Sequence, residues 1–248
     1  MKRNINFWTL REDLPDDVGY DQFSIKHIMM LVGVIFFSFI ISYVYIHSSN
    51  DIKFYIKIMI AITLMVIEIM KLVVIHLGHG DVFNYLPIEI CSFAGYCILI
   101  DALSPNPTFI REMLLIIFLP AAIMALIYPT TVVFPVCNFF TIHQFVFHGL
   151  IVAYVSALFF AKEIVINYAG VWKSIFAIIC ISGMVYIYDR INNRNFMFLM
   201  HDEGNSMLKG LTKISGGGVK YTLTLVLFCV LMIHVFYFIF KLLELFLL

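Results

Sequence analysis

The sequence predicts an all-α integral membrane protein, a single polytopic bundle of about seven transmembrane helices. Two observations carry that class. Hydrophobic residues make up 62% of the 248 positions and charged residues 13%, against roughly 45–50% and 25% in soluble domains. The apolar residues also gather into runs near the ~20 residues a helix needs to cross a bilayer. The formal net charge is zero, so no basic field exists to draw nucleic acid, and membrane lipids are the partners that composition implies. Residues 1–27 mix Lys2, Arg3 and Arg11 with Glu12, Asp13, Asp16, Asp17 and Asp21 and lack a short apolar core. They read as a polar N-terminal arm, not a cleavable signal peptide; residues 28–248 form the bundle.

The first segment, 28–46, ends in the polar turn His-Ser-Ser-Asn-Asp. The second, 54–77, contains Glu68 and Lys71, three apart and so on one helical face. Gly78-His79-Gly80-Asp81 breaks it, and the third, 86–103, is expected to start at Leu86 and Pro87, where a missing N–H is harmless. Ser-Pro-Asn-Pro leads to the fourth, 110–128, with a kink expected at Pro120. The link 129–135 is proline-bounded and apolar, and is expected to re-enter or lie on the bilayer. The fifth and sixth span 139–160 and 171–188; the polar connection 189–220 carries a flexible Ser-Gly-Gly-Gly. The last, 221–248, exceeds the required length, so it tilts or emerges near Lys241 and Glu244. Five cysteines, with no C-x-x-C spacing, indicate neither a disulfide framework nor a thiolate metal site. Most are expected to be small core residues.

Alternating crossings put the arm and the connections after segments two, four and six on one side, face A. His27, Glu68, Lys71, His76, His79, Asp81, Glu89, Cys91, His143, His148, Asp189, Arg190, Asn192 and Asn195 all fall toward it. Lys57, Asp101, Lys162 and Lys173 sit at opposite segment ends, where such side chains reach water. The asymmetry predicts one polar chamber near face A, with His234 left alone in segment seven. Ionisable groups inside a membrane are functional candidates by default.

In segment five Asn138, Thr141, Gln144 and His148 recur at helical spacing and form one polar stripe. His143 lies about 140° from His148, so His148 is favoured for the chamber and His143 for support. His148 has the chemistry of a general base; the competing reading is a neutral histidine used as packing glue. Glu68 with Lys71 is either a helix-fixing ion pair or part of the site. Glu89 has no basic partner on its own helix and is a candidate to donate a proton or orient His148. Ser92 shares its face. Cys91 is a candidate nucleophile, but about 200° separate it from Glu89 on a regular helix. Asn192 and Asn195 complete the predicted substrate contacts. His76, His79 and Asp81 match no specific metal signature; no metal and no soluble cofactor is expected.

Phe-Ser-Ile-Lys-His-Ile at 23–28, Glu68, Leu-Pro-Ile-Glu-Ile-Cys at 86–91, His148-Gly149 and Asn-Asn-Arg-Asn-Phe-Met-Phe-Leu at 192–199 together resemble the YwaF-like bacterial integral membrane proteins. These are similar to the eukaryotic transmembrane-protein-164 acyltransferases, which build polyunsaturated ether phospholipids. The resemblance implies a six- or seven-helix membrane enzyme that moves acyl chains on lipids, or a related lipid hydrolase. It carries over most directly to His148. Where that pattern has histidine two residues after the proline, this chain has Glu89. Where the eukaryotic relatives have cysteine directly after it, Ile88 stands, with Cys91 three places on.

The sequence therefore leads to a membrane-embedded acyltransferase or transacylase acting on phospholipid or a related acylated lipid, with His148 as general base and Glu89 or Glu68 orienting it. The alternatives are a small ion-coupled transporter or channel, which needs polar groups from both faces, and a non-catalytic membrane scaffold. Face A carries nine Lys and Arg against six opposite. The positive-inside rule then places the N-terminus in the cytoplasm of a multi-pass cell-membrane protein.

Overall fold

A computed structural model describes residues 5–15, 17–205 and 207–247; Lys2, Arg3, Asp16 and Leu248 lie outside them. The helices are α1 (Ile25–Ile46), α2 (Asn50–Leu77), α3 (Ile90–Leu103), α4 (Thr108–Met113), α5 (Leu119–Ile127), α6 (Phe139–Phe160), α7 (Tyr168–Asn192), α8 (Lys209–Ser215) and α9 (Gly218–Leu247). No strand occurs among the described residues.

Side chains that compete for backbone groups mark the helix starts. Ser24 accepts from the His27 amide before α1, Asn138 from Phe140 before α6 and Asn167 from Gly170 before α7. The kink expected at Pro120 takes the form of a π-helical stretch, Leu114–Phe118, that joins α4 to α5. Proline lacks the N–H that would close the preceding turn, and the widened turn absorbs the mismatch.

Among the described residues six helical spans are long and apolar enough to cross a membrane: α1, α2, the run Thr108–Val133, α6, α7 and α9. The third predicted crossing is short. At 14 residues α3 spans ~21 Å, against ~30 Å of hydrocarbon. It still runs antiparallel to α2, because Ser92 meets Glu68 and Asp101 meets Lys57. Thr108–Val133 and α6 form the centre, each with 67% of its apolar window buried, whereas α1, α2 and α9 have 17%, 28% and 22%. The outer helices turn residues such as Ile35, Phe36 and Phe39 outward, as helices in lipid must.

Three expectations change. Helix α3 begins at Ile90, not at Leu86 and Pro87, because Glu89 takes the extended N-cap conformation. The N-terminal arm folds under the bundle: Phe7 O accepts from the Phe139 amide, Thr9 O from Asn138, and Leu10 enters a small core with Ile75, Phe134, Phe139 and Phe140. The proline-bounded link packs on this arm as a 3-10 turn, Thr130–Val133, with the Tyr20 amide bonded to Val132 O at 2.9 Å. Only glycine permits that approach, since a Cβ at Gly19 would lie 2.0 Å from the same oxygen.

Of the five cysteines only Cys91 is buried; Cys97 is intermediate, and Cys137, Cys180 and Cys229 are exposed. The core expectation fails for those three because an apolar side chain on a membrane protein is as well placed against lipid as inside.

Candidate functional site

The polar groups form two tiers. The first, toward face A, is centred on Glu68, 5% exposed on the inner side of α2. Its Oε1 accepts from Lys71 Nζ at 2.7 Å and from Ser92 Oγ at 3.0 Å. Its Oε2 lies 3.2 Å from His143 Nε2. A carboxylate only accepts, so His143 carries its hydrogen on Nε2 and, when neutral, a lone pair on Nδ1. The predicted Glu68–Lys71 pair thus exists with two further donors, the arrangement that makes a buried carboxylate tolerable.

The His143 ring stacks on Phe147 at 5.5 Å, and Phe147 meets His148 edge-on at 5.8 Å. His148, 7% exposed, places Nδ1 2.7 Å from Gln144 O. A carbonyl only accepts, so Nδ1 is protonated and Nε2 holds the lone pair of the neutral ring. Glu68, Lys71 and His143 lie within electrostatic reach of this ring.

Glu68 is therefore bonded to His143, not to His148. The predicted stripe faces other elements: Asn138 caps α6 and donates to Thr9 O, Thr141 donates to Pro135 O, and Gln144 donates to Ala125 O of α5. Those carbonyls stand at helix ends and turns, where regular backbone pairing stops; Pro135 O also takes the Asn138 amide, and the stripe supplies the remaining donors. The ~140° between the histidines turns His143 to α2 and leaves His148 on the side of Gln144.

Glu89 and Cys91 part company as the spacing required. Glu89 accepts the Met197 amide of the segment after α7 at 2.7 Å, whereas Cys91 belongs to the main apolar core with Ala94 and Phe147. Asn192 donates to Tyr188 O of its own helix. Asn195 organises its loop, accepting the Met200 amide and donating to His201 O. Neither bonds to Glu68 or His148. Asp81 spends its carboxylate on the Phe83 amide, Asn84 and Arg194. His27 fixes α1 to α5, its Nδ1 accepting the Phe23 amide and its Nε2 donating to Leu126 O. His234 bonds Val230 O and packs against Tyr168 and Trp172.

The second tier lies at the opposite end and was not anticipated. Asp101, expected to reach water, is 0% exposed. Its Oδ1 takes Arg111 Nε at 2.6 Å; its Oδ2 takes Tyr154 OH at 2.5 Å and Lys57 Nζ at 3.2 Å. Arg111 continues to Glu163, whose carboxylate also accepts Tyr45 OH at 3.0 Å and lies 3.6 Å from Lys53 Nζ. A signal was present in the sequence: Lys57 and Asp101 lie inside helices, where a charge requires a partner. The partners themselves come from four other elements.

The rise along α2 from Lys57 to Glu68, and along α6 from Tyr154 to His143, is roughly 16 Å. Buried Ala61, Leu64, Ala94, Ile98, Phe147, Leu150 and Ile151 fill the layer between the tiers. The first tier pairs a carboxylate with a histidine, a lysine and a hydroxyl, beside a second histidine whose Nε2 is free to accept a proton. The second tier is a closed ion-pair lattice.

No curated protein and no solved structure matches the chain. A family model does, over residues 22–240, which takes in every group of both tiers. The chain belongs to the TMEM164 family.

Proposed function

We propose that this multi-pass membrane protein transfers acyl chains between membrane lipids, with His148 as general base and the Glu68–Lys71–Ser92–His143 cluster as the charged wall of its chamber. The observation that carries the proposal is the state of His148. Its Nδ1–H is pinned to Gln144 O, leaving the Nε2 lone pair unbonded on a buried ring within electrostatic reach of that cluster, as a base requires. His234 makes the same bond to its own helix, but its neighbours are aromatic rings and it has no such wall.

In the proposed step Nε2 takes the proton of an acceptor-lipid hydroxyl as that oxygen attacks the ester carbonyl of a donor lipid. Collapse of the tetrahedral intermediate breaks the donor's C–O bond, and Nε2–H returns the proton to the departing oxygen. Lys71, on the same wall, is placed to offset negative charge on the carbonyl oxygen. Cys91 has no part in this sequence; its sulfur packs among apolar side chains. The family resemblance, which implies lipid acyl exchange, supports the same reaction class.

The test is mass-spectrometric acyl exchange between isotope-labelled lipids in proteoliposomes. His148→Ala is expected to abolish exchange while the protein stays folded. One observation favours a second assignment of the base: Glu68 orients His143 as the carboxylate of a triad orients its imidazole. Full exchange in His148→Ala together with loss in His143→Ala would move the base to His143.

Ion-coupled transport gains a second polar tier beyond the one-sided cluster of the sequence reading. The apolar layer of Leu64, Ile98 and Ile151 separates the tiers, which argues against a continuous path. Proton-driven flux in liposomes without acyl exchange would select transport instead.

A further inference from the structure

Past α7 the chain folds back over the turn after α2 and the start of α3, at the face-A end of the bundle, and strained backbone and orphaned polar groups make that closed fold costly to hold. We propose that residues 194–205 and 207–215, the loop and α8, form a latch over the face-A entrance to the site, closed in the form described here and opening to admit lipid. That lipid is what it admits rests on the acyl-transfer reading; that it opens does not.

Thr222 Oγ1 of α9 donates to Leu199 O at 2.8 Å, Ser182 Oγ of α7 reaches Met197 Sδ at 3.9 Å, and two further contacts bolt the latch to the turn after α2 and the start of α3. Arg194 pairs through Nη2 with Asp81 at 2.6 Å and through Nη1 with Asn84, both in the turn after α2. The Met197 amide donates to Glu89 at the start of α3. The Arg194–Asp81 pair is 26% and 44% exposed, and pairs so open to water contribute little. Apolar burial of Phe196, Leu199 and Leu208 against Val185, Tyr221 and Leu225 supplies the remaining hold.

Against this hold stand three kinds of cost. Met197 and Phe198 are consecutive non-glycine residues in the left-handed region, at φ 54° and 57°, which persists only where surroundings enforce it. Asp189 is 0% exposed, yet neither carboxylate oxygen closes a hydrogen bond; the Phe196 amide is directed at it without completing one. Tyr221, also 0% exposed, leaves its hydroxyl unbonded, as Arg194 leaves Nε. Orphaned buried groups of this kind are rare in settled folds.

Opening would relieve all three at once. Hinges stand at both ends: Asn193 is left-handed at φ 53°, and Gly216, Gly217 and Gly218 all have positive φ. Release of Met197 also frees Glu89, the N-cap of α3, one turn before the Ser92 that bonds Glu68, so opening there leads toward the first tier. The motif at 192–199 thus acquires a role as the bolt-bearing segment of the latch.

Amide hydrogen exchange of the full chain in nanodiscs, read by mass spectrometry, tests this without any assay of activity. Arg194→Gln removes a bolt and is expected to raise exchange across 194–215 at least tenfold while α2 and α6 stay unchanged. Asp189→Leu removes an orphaned carboxylate from an apolar site and is expected to slow the same amides several-fold. A loop that merely needs all its residues would be loosened by both variants, and faster exchange in Asp189→Leu, or none gained in Arg194→Gln, would overturn the latch. Added lysophospholipid is expected to raise wild-type exchange in this segment. No response to it, with both variants behaving as stated, would overturn the admission of lipid and leave the opening itself supported.

Discussion

Replacing Asp101 by alanine removes the one carboxylate that joins Lys57, Arg111 and Tyr154. Asp101 is 0% exposed and its two cations are each 9% exposed, so neither Lys57 nor Arg111 gains water when it goes. Breaking a buried pair by deleting one partner costs about 3–5 kcal/mol. At 1.4 kcal/mol per decade that is roughly two to nearly four orders of magnitude in the folding equilibrium. Arg111 keeps part of its pairing through Glu163, at 3.6 Å to the carboxylate and 3.0 Å to the carbonyl, which favours the lower end of the range. Steric-trapping or denaturant unfolding in bicelles measures the loss. Adding Lys57→Met to Asp101→Ala removes one stranded cation and is expected to restore part of the stability, giving a coupling above about 1 kcal/mol. A loss under about 1 kcal/mol, as for a surface pair, or strictly additive mutants would refute the view of this tier as a closed lattice.

Three further outcomes follow from local geometry. Tyr154→Phe deletes a 2.5 Å bond to Asp101 and is expected to cost about 1.5–3 kcal/mol, the range for hydrogen bonds to charged groups, in the same unfolding assay. Gly170→Ala puts a Cβ 2.1 Å from Glu112 Oε2, so the carboxylate must shift and disturb the Asn167 amide and side chain that Oε1 accepts at 3.2 and 2.8 Å; about 1–3 kcal/mol is expected for such overpacking, and a neutral result in that assay would show that α4 and α7 separate freely. The Thr212 hydroxyl and the Gly204 amide hold the Asp202 carboxylate below its ordinary range. A depressed folded value means that the stabilisation is present above the unfolded pKa, near ~3.9, and is lost as pH falls below it. Exchange at Gly204, corrected for intrinsic rate, should therefore rise below about pH 4, and Asp202→Asn should abolish that dependence.

Most of the fold was legible because a bilayer leaves few options: long apolar runs broken by Gly78, Pro105 and Pro129 are helices or nothing. What escaped depends on contacts distant in sequence. The start of α3 is set by Glu89, whose carboxylate is drawn to Met197, 108 positions later. The arm's place under the bundle depends on Gly19 meeting Val132. For the site, periodicity groups Asn138, Thr141, Gln144 and His148 by helical spacing, but in the structure they bond to Thr9, Pro135, Ala125 and Gln144. It cannot say which neighbour a side faces, and here α2 with Glu68 stands opposite His143. The Glu68–Lys71 pair was visible because it is local. The Asp101 lattice was not, since Arg111, Tyr154 and Glu163 are ordinary residues until three helices and a turn bring them together.

Acyl exchange between labelled lipids in proteoliposomes holding wild type, His148→Ala and His143→Ala tests the central claim most directly. Exchange is expected in wild type, none in His148→Ala, and a reduced rate in His143→Ala, with all three proteins equally folded. Exchange in His148→Ala at the wild-type rate would contradict it.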